Sequence, residues 1–518
     1  MKHESDLLII GTGIAGMSAA IYAADVGLTV DLVTKGSDMT DSNTYCAQGG
    51  IIFRGENDSP ETLINDIIYA GAGLSLPENA KILAEEGPYY IQDLLIKKAR
   101  INFTRNKAGQ LDLTEEAAHS VKRIIHSTDA TGKAIVKGLY RLIRNNKKIR
   151  IFRNHICLDL IKNRTRVSGR EKAEILGAYI LDLKGMKTHV FLAKATVLAT
   201  GGLGQIYTYT TNPLSATGDG FALAFRAGAR IINMEYTQFH PTALYQQKPY
   251  MFLITEMVRG EGGHLKNRDG KEFMKKYHSQ ASLAPRDVVA RAIHDEMLQN
   301  HQPYVLLDIH SYMDREKIRA KFPTIYRTCL ENGIDITRQP IPVVPAFHFI
   351  CGGIKVDEWA RTSMRGLFAV GEVSCTGIHG ANRLASTSLL EGLVWAGRCI
   401  KYICANKDQF RFPVRCRIKV PKREKSSAGP ADPAWIKKDW TNLKNIMWNY
   451  VGLVRSSSRL NRAYRDLKNL KHAIDDFYKD YSLDRDVIEL YNGIQTAIII
   501  VKHALKNKQS RGTHYLID

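Results

Sequence analysis

Close to the N-terminus a short apolar run, Asp6–Ile10, enters the turn Gly11-Thr12-Gly13-Ile14-Ala15-Gly16 and then an alanine-rich helical pattern over Met17–Val26. Gly27 can end that helix, and Leu28–Val33 is a second apolar run. Two buried strands joined by a helix make a parallel βαβ unit, which commits the chain to an α/β sheet. The glycines have separate duties: the first permits the tight turn, the second lets backbone approach a pyrophosphate, and the third lets helix pack on strand. The pyrophosphate then meets the positive end of the helix. The spacing alone is a moderate signal; its place between a strand and a helix makes a dinucleotide site the expected outcome. The acidic ribose ligand usual at the end of the second strand is missing. Thr34-Lys35 stands there, and Lys35 favours a phosphate-rich cofactor.

The chain has 518 residues, enough for roughly three domains. Its net charge of +21 raises the question of nucleic acid. However, the basic residues are spread along the chain and no zinc-finger or RNA-binding signature occurs, so an anionic substrate is the simpler reading. The densest cluster, Arg415–Lys425, adjoins Ser426-Ser427-Ala428-Gly429-Pro430 and reads as a solvated linker. The eight cysteines form no C-x-x-C pair and no metal-ligand spacing, which predicts a reduced compartment and no metal. The first strand leaves no room for a signal peptide, and no apolar run reaches the ~18 residues of a membrane span. A cytoplasmic protein without direct membrane insertion is expected.

Residues 61–105 and 115–146 carry helical spacing, and Ile151–Ile161, Ala173–Leu183 and His189–Leu198 read as strands with a hairpin turn at Lys184-Gly185. Short mixed elements fill 234–345, and Phe368–Glu372 reads as another buried strand. Near the C-terminus Leu460, Tyr464, Leu467, Ile474 and Phe477 follow helical spacing, as do Tyr491, Ile494 and Ile498. The expected fold is α/β: a Rossmann-like nucleotide-binding domain in two segments (1–233 and 348–405), an inserted α+β capping domain (234–347), a linker (406–432) and a C-terminal helical bundle (433–518).

Further glycine-rich signals follow in order: Ser42-Asn43-Thr44-Tyr45-Cys46-Ala47-Gln48-Gly49-Gly50, Ala199-Thr200-Gly201-Gly202, Thr217-Gly218-Asp219-Gly220, Gly371-Glu372 and the helix start Ser388-Leu389. Between them stand Gln238-Phe239-His240-Pro241-Thr242, Thr255-Glu256-Met257-Val258-Arg259, Ala284-Pro285-Arg286-Asp287, His348 within P-x-x-H-x-x-x-G-G, and Gly380-Ala381-Asn382-Arg383-Leu384. Over nearly its whole length the chain resembles the succinate dehydrogenase/fumarate reductase flavoprotein superfamily. The resemblance implies FAD, held by Gly11, Gly13, Ile14, Ala15, Gly16, Lys35, the Ser42–Gly50 segment, Thr200, Gly201, Gly202, Asp219, Glu372, Ser388 and Leu389. In respiratory members the position of Asn43 is a histidine bonded covalently to the flavin. Asparagine cannot form that bond, so FAD is expected to be noncovalent.

A four-carbon dicarboxylate has two charged ends, and burying them requires paired donors. Arg383 can grip one carboxylate bidentately beside His348, while His240 and Thr255 donate to the other. Taken singly, a histidine before proline is more often a turn or core residue, and a lone arginine a surface charge; the five together carry the reading. The resemblance gives Arg286 the proton-transfer role, fed through Glu256 and Arg259. Leu113–His126 is similar to the branch of the superfamily that oxidises L-aspartate, where the position of Glu116 meets the substrate ammonium. The alternative for Glu116 alone is an exposed helix-terminal acid. The resemblance therefore implies oxidation of L-aspartate to iminoaspartate, with O2 (yielding H2O2) or fumarate as acceptor. That is the first step of NAD biosynthesis through quinolinate, with quinolinate synthase as a possible partner. The alternative is a soluble fumarate reductase or a succinate dehydrogenase flavoprotein subunit, told apart by assay for peroxide from aspartate.

Overall fold

Leu7, Leu8 and Ile9 have no exposed surface, as a strand covered on both faces requires. The computed structural model describes residues 1–116, 118–128, 130–167, 170–246, 248, 250–410, 412 and 429–518. In it the apolar run is the inner part of β1 (Lys2–Ile10) in a seven-stranded sheet. Its neighbours are β2 (Val30–Val33), β3 (Ile149–Phe152), β4 (His155–Val167), β5 (Arg170–Asp182) and β6 (Lys187–Leu198), in the order β3-β2-β1-β6-β5-β4. The short strand Leu367–Ala369 adds to β6 in parallel. β1, β2, β3 and β6 are mutually parallel where they pair, and β4 and β5 return as antiparallel strands. The expected Lys184-Gly185 hairpin joins β5 to β6. Helix α1 (Ile14–Asp25) follows the glycine turn, with Gly27 at φ +87° just beyond its end.

Two stretches differ from their sequence reading. The single strand expected over Ile151–Ile161 is two, because Asn154 turns the chain at φ +55°. β3 stays beside β2, while β4 leaves to pair with β5. The helical reading of 115–146 fails for its first half. Leu113–Thr114 and Ile124–Ile125 instead form a small antiparallel sheet with Ile51–Ile52, and the helix begins only at Thr131. Tertiary contacts decide here. The fully buried Arg123 is ion-paired to Asp58 (3.0 Å) and Asp66 (2.6 Å), which ties the segment to α2 (Pro60–Ala70) and the turn before it.

A second sheet has its own core, including Val258, Leu265, Ile293, Leu307 and Phe322. Its strands are β7 (Thr237–Leu244), β8 (His264–Lys266), β9 (Val305–Asp308) and β10 (Ile341–Ile350), in the antiparallel order β7-β10-β9-β8. Helix α3 (Arg286–Gln299) packs on β7. The chain then returns to the first sheet and closes over α1 with α4 (Thr387–Ala405), whose Trp395 is fully buried.

The C-terminal region is a bundle of α5 (Pro433–Val451), α6 (Ser457–Asp480) and α7 (Arg485–Lys506). Asp432, Ser456 and Asp484 cap the three starts by accepting backbone N–H groups. Leu460, Leu467, Ile474, Ile494 and Ile498 are buried, as their spacing predicts. The basic Arg415–Lys425 cluster and most of the expected linker lie outside the described residues. Among the described residues no helix is long and apolar enough to cross a membrane, and no cluster is suited to a metal ion.

Candidate active site

Register brings the ends of four strands together. Ile10 pairs with Val33 on one side and Leu198 on the other, and Leu198 pairs with Ala369. The loops that leave these carboxyl ends carry Gly11–Gly13, Lys35, Ala199–Gly202 and Gly371-Glu372, and they open one cavity at the point where the strand order reverses. The Ser42–Gly50 segment and the start of α4 complete its walls. Gly11 has φ +117°, and a Cβ there would lie 2.0 Å from the Ala199 carbonyl oxygen. The two loops can therefore meet only across a glycine. Thr44 Oγ1 accepts the Ile14 N–H at 3.0 Å, which joins the Ser42–Gly50 segment to the first turn of α1.

Most residues expected at a cofactor line this cavity: Gly11, Gly13, Ile14, Ala15, Lys35, Ser42, Asn43, Thr44, Cys46, Ala47, Gln48, Gly49, Gly50, Thr200, Gly201, Gly202, Asp219, Glu372, Ser388 and Leu389. Gly16 and Tyr45 do not. Gly16 abuts the Gly11 carbonyl, and Tyr45 packs against the hydrophobic core. Lys35 is reached by the cavity, but its ammonium is already matched by Asp219 (2.5 Å), Glu489 (2.6 Å) and the Thr217 hydroxyl (2.7 Å). A lysine held by two carboxylates orients Asp219 better than it attracts phosphate.

Three buried atoms on this wall have no protein partner among the described residues: Asn43 Oδ1, Gln48 Oε1 and Thr200 Oγ1. Buried polar groups left unpaired are costly, and a polar ring system with amide and carbonyl edges would satisfy them. With the glycine-lined turns, they fit FAD. Asn43 Nδ2 donates to Glu372 Oε2 at 2.7 Å, and burial pushes the Glu372 carboxyl up to about 7. The Cys46 thiol is pushed up to about 11 by burial and stays protonated.

The same cavity continues to Glu116, His240, Thr255, Glu256, Arg286, His348 and Arg383. β7 and β10 bring the two histidines to neighbouring strands with ring centroids 5.3 Å apart. A register break after His240 interrupts the ladder beside it. Burial and the neighbouring guanidiniums keep both imidazoles well below 6.5, so both are neutral. Arg286 opens α3, and its Nε donates to Glu256 Oε1 at 2.7 Å. Arg259 donates to the same oxygen at 2.9 Å from behind and does not line the cavity. Burial raises the Glu256 carboxyl, but Arg286 and Arg259 outweigh it and hold it below the usual range.

Arg383 lies over the Phe349 ring at 4.5 Å and donates to Gln238 Oε1 (3.2 Å) and Ser388 Oγ (3.1 Å). Burial, with Arg286 nearby, pushes it down to about 10, so it remains a cation. Glu116 accepts from Ser386 Oγ at 2.7 Å, and burial raises its carboxyl above the ordinary value. A Cβ on Gly49 would stand 2.6 Å from Glu116 Oε1, so this glycine lets the carboxylate approach the loop.

Sequence reading gave no role to Gln238, Thr211, Phe349 and Ser386. Gln238, Phe349 and Ser386 lie within three residues of recognised motif residues and were within reach of the pattern. Thr211 carries no local signal; it meets His348 across 137 residues.

Residues 6–389 match the FAD binding domain family, and residues 440–518 match the fumarate reductase flavoprotein C-terminal family. An L-aspartate oxidase of Acinetobacter baylyi is 41% identical, covering 100% of this chain and 94% of its own. A chloroplastic L-aspartate oxidase of Arabidopsis thaliana is 40% identical over 99% of this chain and 81% of its own. Among solved structures, a variant of the E. coli quinol fumarate reductase FrdA superposes with a TM-score of 0.91 at 26% identity, over 100% of this chain and 92% of that one. Mycobacterium smegmatis Sdh1 gives 0.83 at 31%, over 100% and 89%.

Proposed function

Because the chain belongs to the L-aspartate oxidase family of FAD-dependent oxidoreductases, we propose that it oxidises L-aspartate to iminoaspartate. The observation that carries this reading is charge. Arg286, Arg383 and Arg259 face or back a cavity that also holds Glu116 and Glu256. In the half of the cavity beyond the glycine-lined turns, three guanidiniums against these two carboxylates leave one net positive charge, the complement of aspartate's single negative charge. A site for succinate alone has no use for Glu116, whose burial costs more than Arg286 and Arg383 return, leaving its carboxyl raised.

In this reading Arg383 and the His348 Nε2–H hold one substrate carboxylate, and the His240 Nε2–H and Thr255 hydroxyl hold the other. Glu116 takes the ammonium. The glycine-lined half of the cavity would hold FAD noncovalently, and FAD would supply a two-electron acceptor for the hydride on Cα. Glu116, with its raised affinity for protons, receives the ammonium proton, so that nitrogen's lone pair assists loss of the hydride. Arg286 is kept firmly charged by Glu256, so it acts as a positive guide and, with fumarate bound, as a proton donor refilled through Glu256 and Arg259. The final acceptor in this reading is O2, giving H2O2, or fumarate, giving succinate. The reaction is the first step of NAD biosynthesis in the cytoplasm, and quinolinate synthase consumes its product.

The test is peroxide release in air from L-aspartate, D-aspartate, L-glutamate and succinate side by side. L-Aspartate alone is expected to give sustained peroxide. Absence of peroxide from L-aspartate, with brisk dye-linked fumarate reduction, would overturn the reading.

A further inference from the structure

His240 and His348 face the same problem. Each is a neutral imidazole in a cavity built for carboxylates, and a neutral imidazole has a single N–H. To donate to a carboxylate from Nε2, each must keep its Nδ1 as an acceptor. At His240 the backbone of Thr242 offers both choices, its carbonyl at 3.1 Å and its N–H at 3.2 Å from Nδ1, so that contact alone does not select the tautomer.

For the His348 ring the partner in hydrogen-bond range is a hydroxyl, Thr211 Oγ1, at 2.8 Å from Nδ1. A hydroxyl can donate or accept, so its other contacts decide. The alternative acceptor for its proton is the Phe347 carbonyl, at 3.3 Å. That carbonyl already accepts the Thr211 N–H at 2.9 Å and the Thr210 hydroxyl at 3.1 Å. The Thr210 hydroxyl in turn accepts the Asn212 N–H at 3.1 Å, which leaves its own proton for Phe347. Both lone pairs of the Phe347 carbonyl are therefore occupied, and the Thr211 proton turns to His348. Asn212 Nδ2 also donates to the His348 carbonyl at 3.0 Å, which fixes the backbone beneath the ring.

We propose that Thr211 is a positioning residue of the dicarboxylate clamp: its hydroxyl donates to His348 Nδ1 and so holds the imidazole as the Nε2–H donor that a substrate carboxylate needs. The proposal rests on His348 being a carboxylate ligand, as in the function proposed above. Besides Thr211, the groups facing His348 are Arg383, His240, Arg286 and Glu256; none of them is bonded to Nδ1. Without the Thr211 hydroxyl the proton can settle on Nδ1. A lone pair on Nε2 would then face the carboxylate, and donation would return only when the ring takes a second proton.

Thr211→Val keeps the shape and removes the hydroxyl, while Thr211→Ser keeps the hydroxyl. Thr211→Val is expected to raise KM for L-aspartate about 10-fold or more with kcat changed less than about 3-fold, and Thr211→Ser to stay near wild type. The Thr211→Val KM should also improve relative to wild type as pH falls below 6, towards the depressed range of the imidazole, a trend that loss of packing alone would not produce. In the wild-type holoenzyme, 15N-histidine spectra, assigned by the signal lost in His348→Ala, should show Nδ1 of His348 without a proton. Wild-type KM and pH dependence in Thr211→Val, alongside a raised KM in His348→Ala, would overturn the role of Thr211 and leave the clamp standing. An unchanged KM in His348→Ala would remove the clamp reading and the proposal with it. A protonated Nδ1 in the wild-type spectrum would overturn the proposal even if Thr211→Val failed to fold.

Discussion

Glu116 and Glu256 are both buried carboxylates in one cavity, yet their surroundings push them in opposite directions. Burial dominates at Glu116 and raises it; at Glu256 the two guanidiniums outweigh burial and lower it. Carboxylates separated in this way take different roles. In the proposed function Glu116 exchanges a proton and meets an ammonium, whereas Glu256 rests as the anion that holds Arg286 and takes a proton only in passing it on. Glu116→Gln is therefore expected to raise KM for L-aspartate by about 10- to 100-fold, the worth of a charge-assisted pair, with little effect on fumarate reduction. The pH dependence has a definite sign. Glu116 is charged only above its raised pKa, so wild-type affinity for aspartate should fall as acid brings pH down through that value, and Glu116→Gln should lack that fall. Steady-state KM against pH for both proteins checks it. Arg286→Lys offers a second division of roles. In the proposed function Arg286 is part of the chemistry as a proton donor to fumarate, and only a positive guide in aspartate oxidation. The substitution should therefore damage the two kcat values unequally, and equal losses would count against the assignment.

At the scale of elements, the Leu113–His126 segment shows how far pattern reading reaches. Its apolar spacing resembles a helix, and Glu116 was recognised within it, but the path that delivers Glu116 to the cavity was not. That path depends on Arg123, which has no exposed surface, and on Asp58 and Asp66, more than fifty residues earlier in the chain. No local propensity records such a pairing, and the tertiary ion pairs override the helical pattern. The βαβ opening, in contrast, was legible because every one of its constraints is local: a buried strand, a turn that requires glycine at Gly11, and a helix that follows at once. Arg123→Met should leave two partly buried aspartates without their cation and cost up to about 3–5 kcal/mol of stability. A chemical denaturation series would read this as a lower midpoint with an unchanged slope. Loosening of the segment should accompany it as a raised KM for aspartate, because Glu116 sits on the strand connection that Arg123 anchors.

Across the whole molecule, the C-terminal bundle braces the nucleotide half of the cavity from behind. Glu489 on α7 meets Lys35 at 2.6 Å, Asn492 donates to Asp219 Oδ1 at 2.9 Å, and Thr496 donates to the Gly218 carbonyl at 3.0 Å. Lys35 and Asp219 both line the cavity, so α7 fixes cofactor-side residues from behind. The sequence separates Asp219 from Asn492 by 273 residues; helical periodicity identified α7 but could not say what its polar face would touch. Arg226 extends the contact by donating to Asn492 and Gln495 at 2.9 and 2.8 Å, and these polar bonds join regions with no sequence proximity. Bundle docking and cofactor retention should consequently be coupled. Asn492→Leu removes the donor to a buried carboxylate and is expected to weaken FAD binding by up to about 10- to 150-fold, the ~1.5–3 kcal/mol of a hydrogen bond to a charged group. Linkage gives an independent readout, since a ligand that binds only the folded state stabilises it by about 2.7 kcal/mol at one hundred times its dissociation constant. At a fixed FAD concentration in that range, the gain in unfolding temperature on adding FAD should shrink in Asn492→Leu. Apo-protein of the same variant should keep its helical circular dichroism. An undiminished FAD-induced shift would mean that the bundle packs beside the cofactor site without helping to hold it.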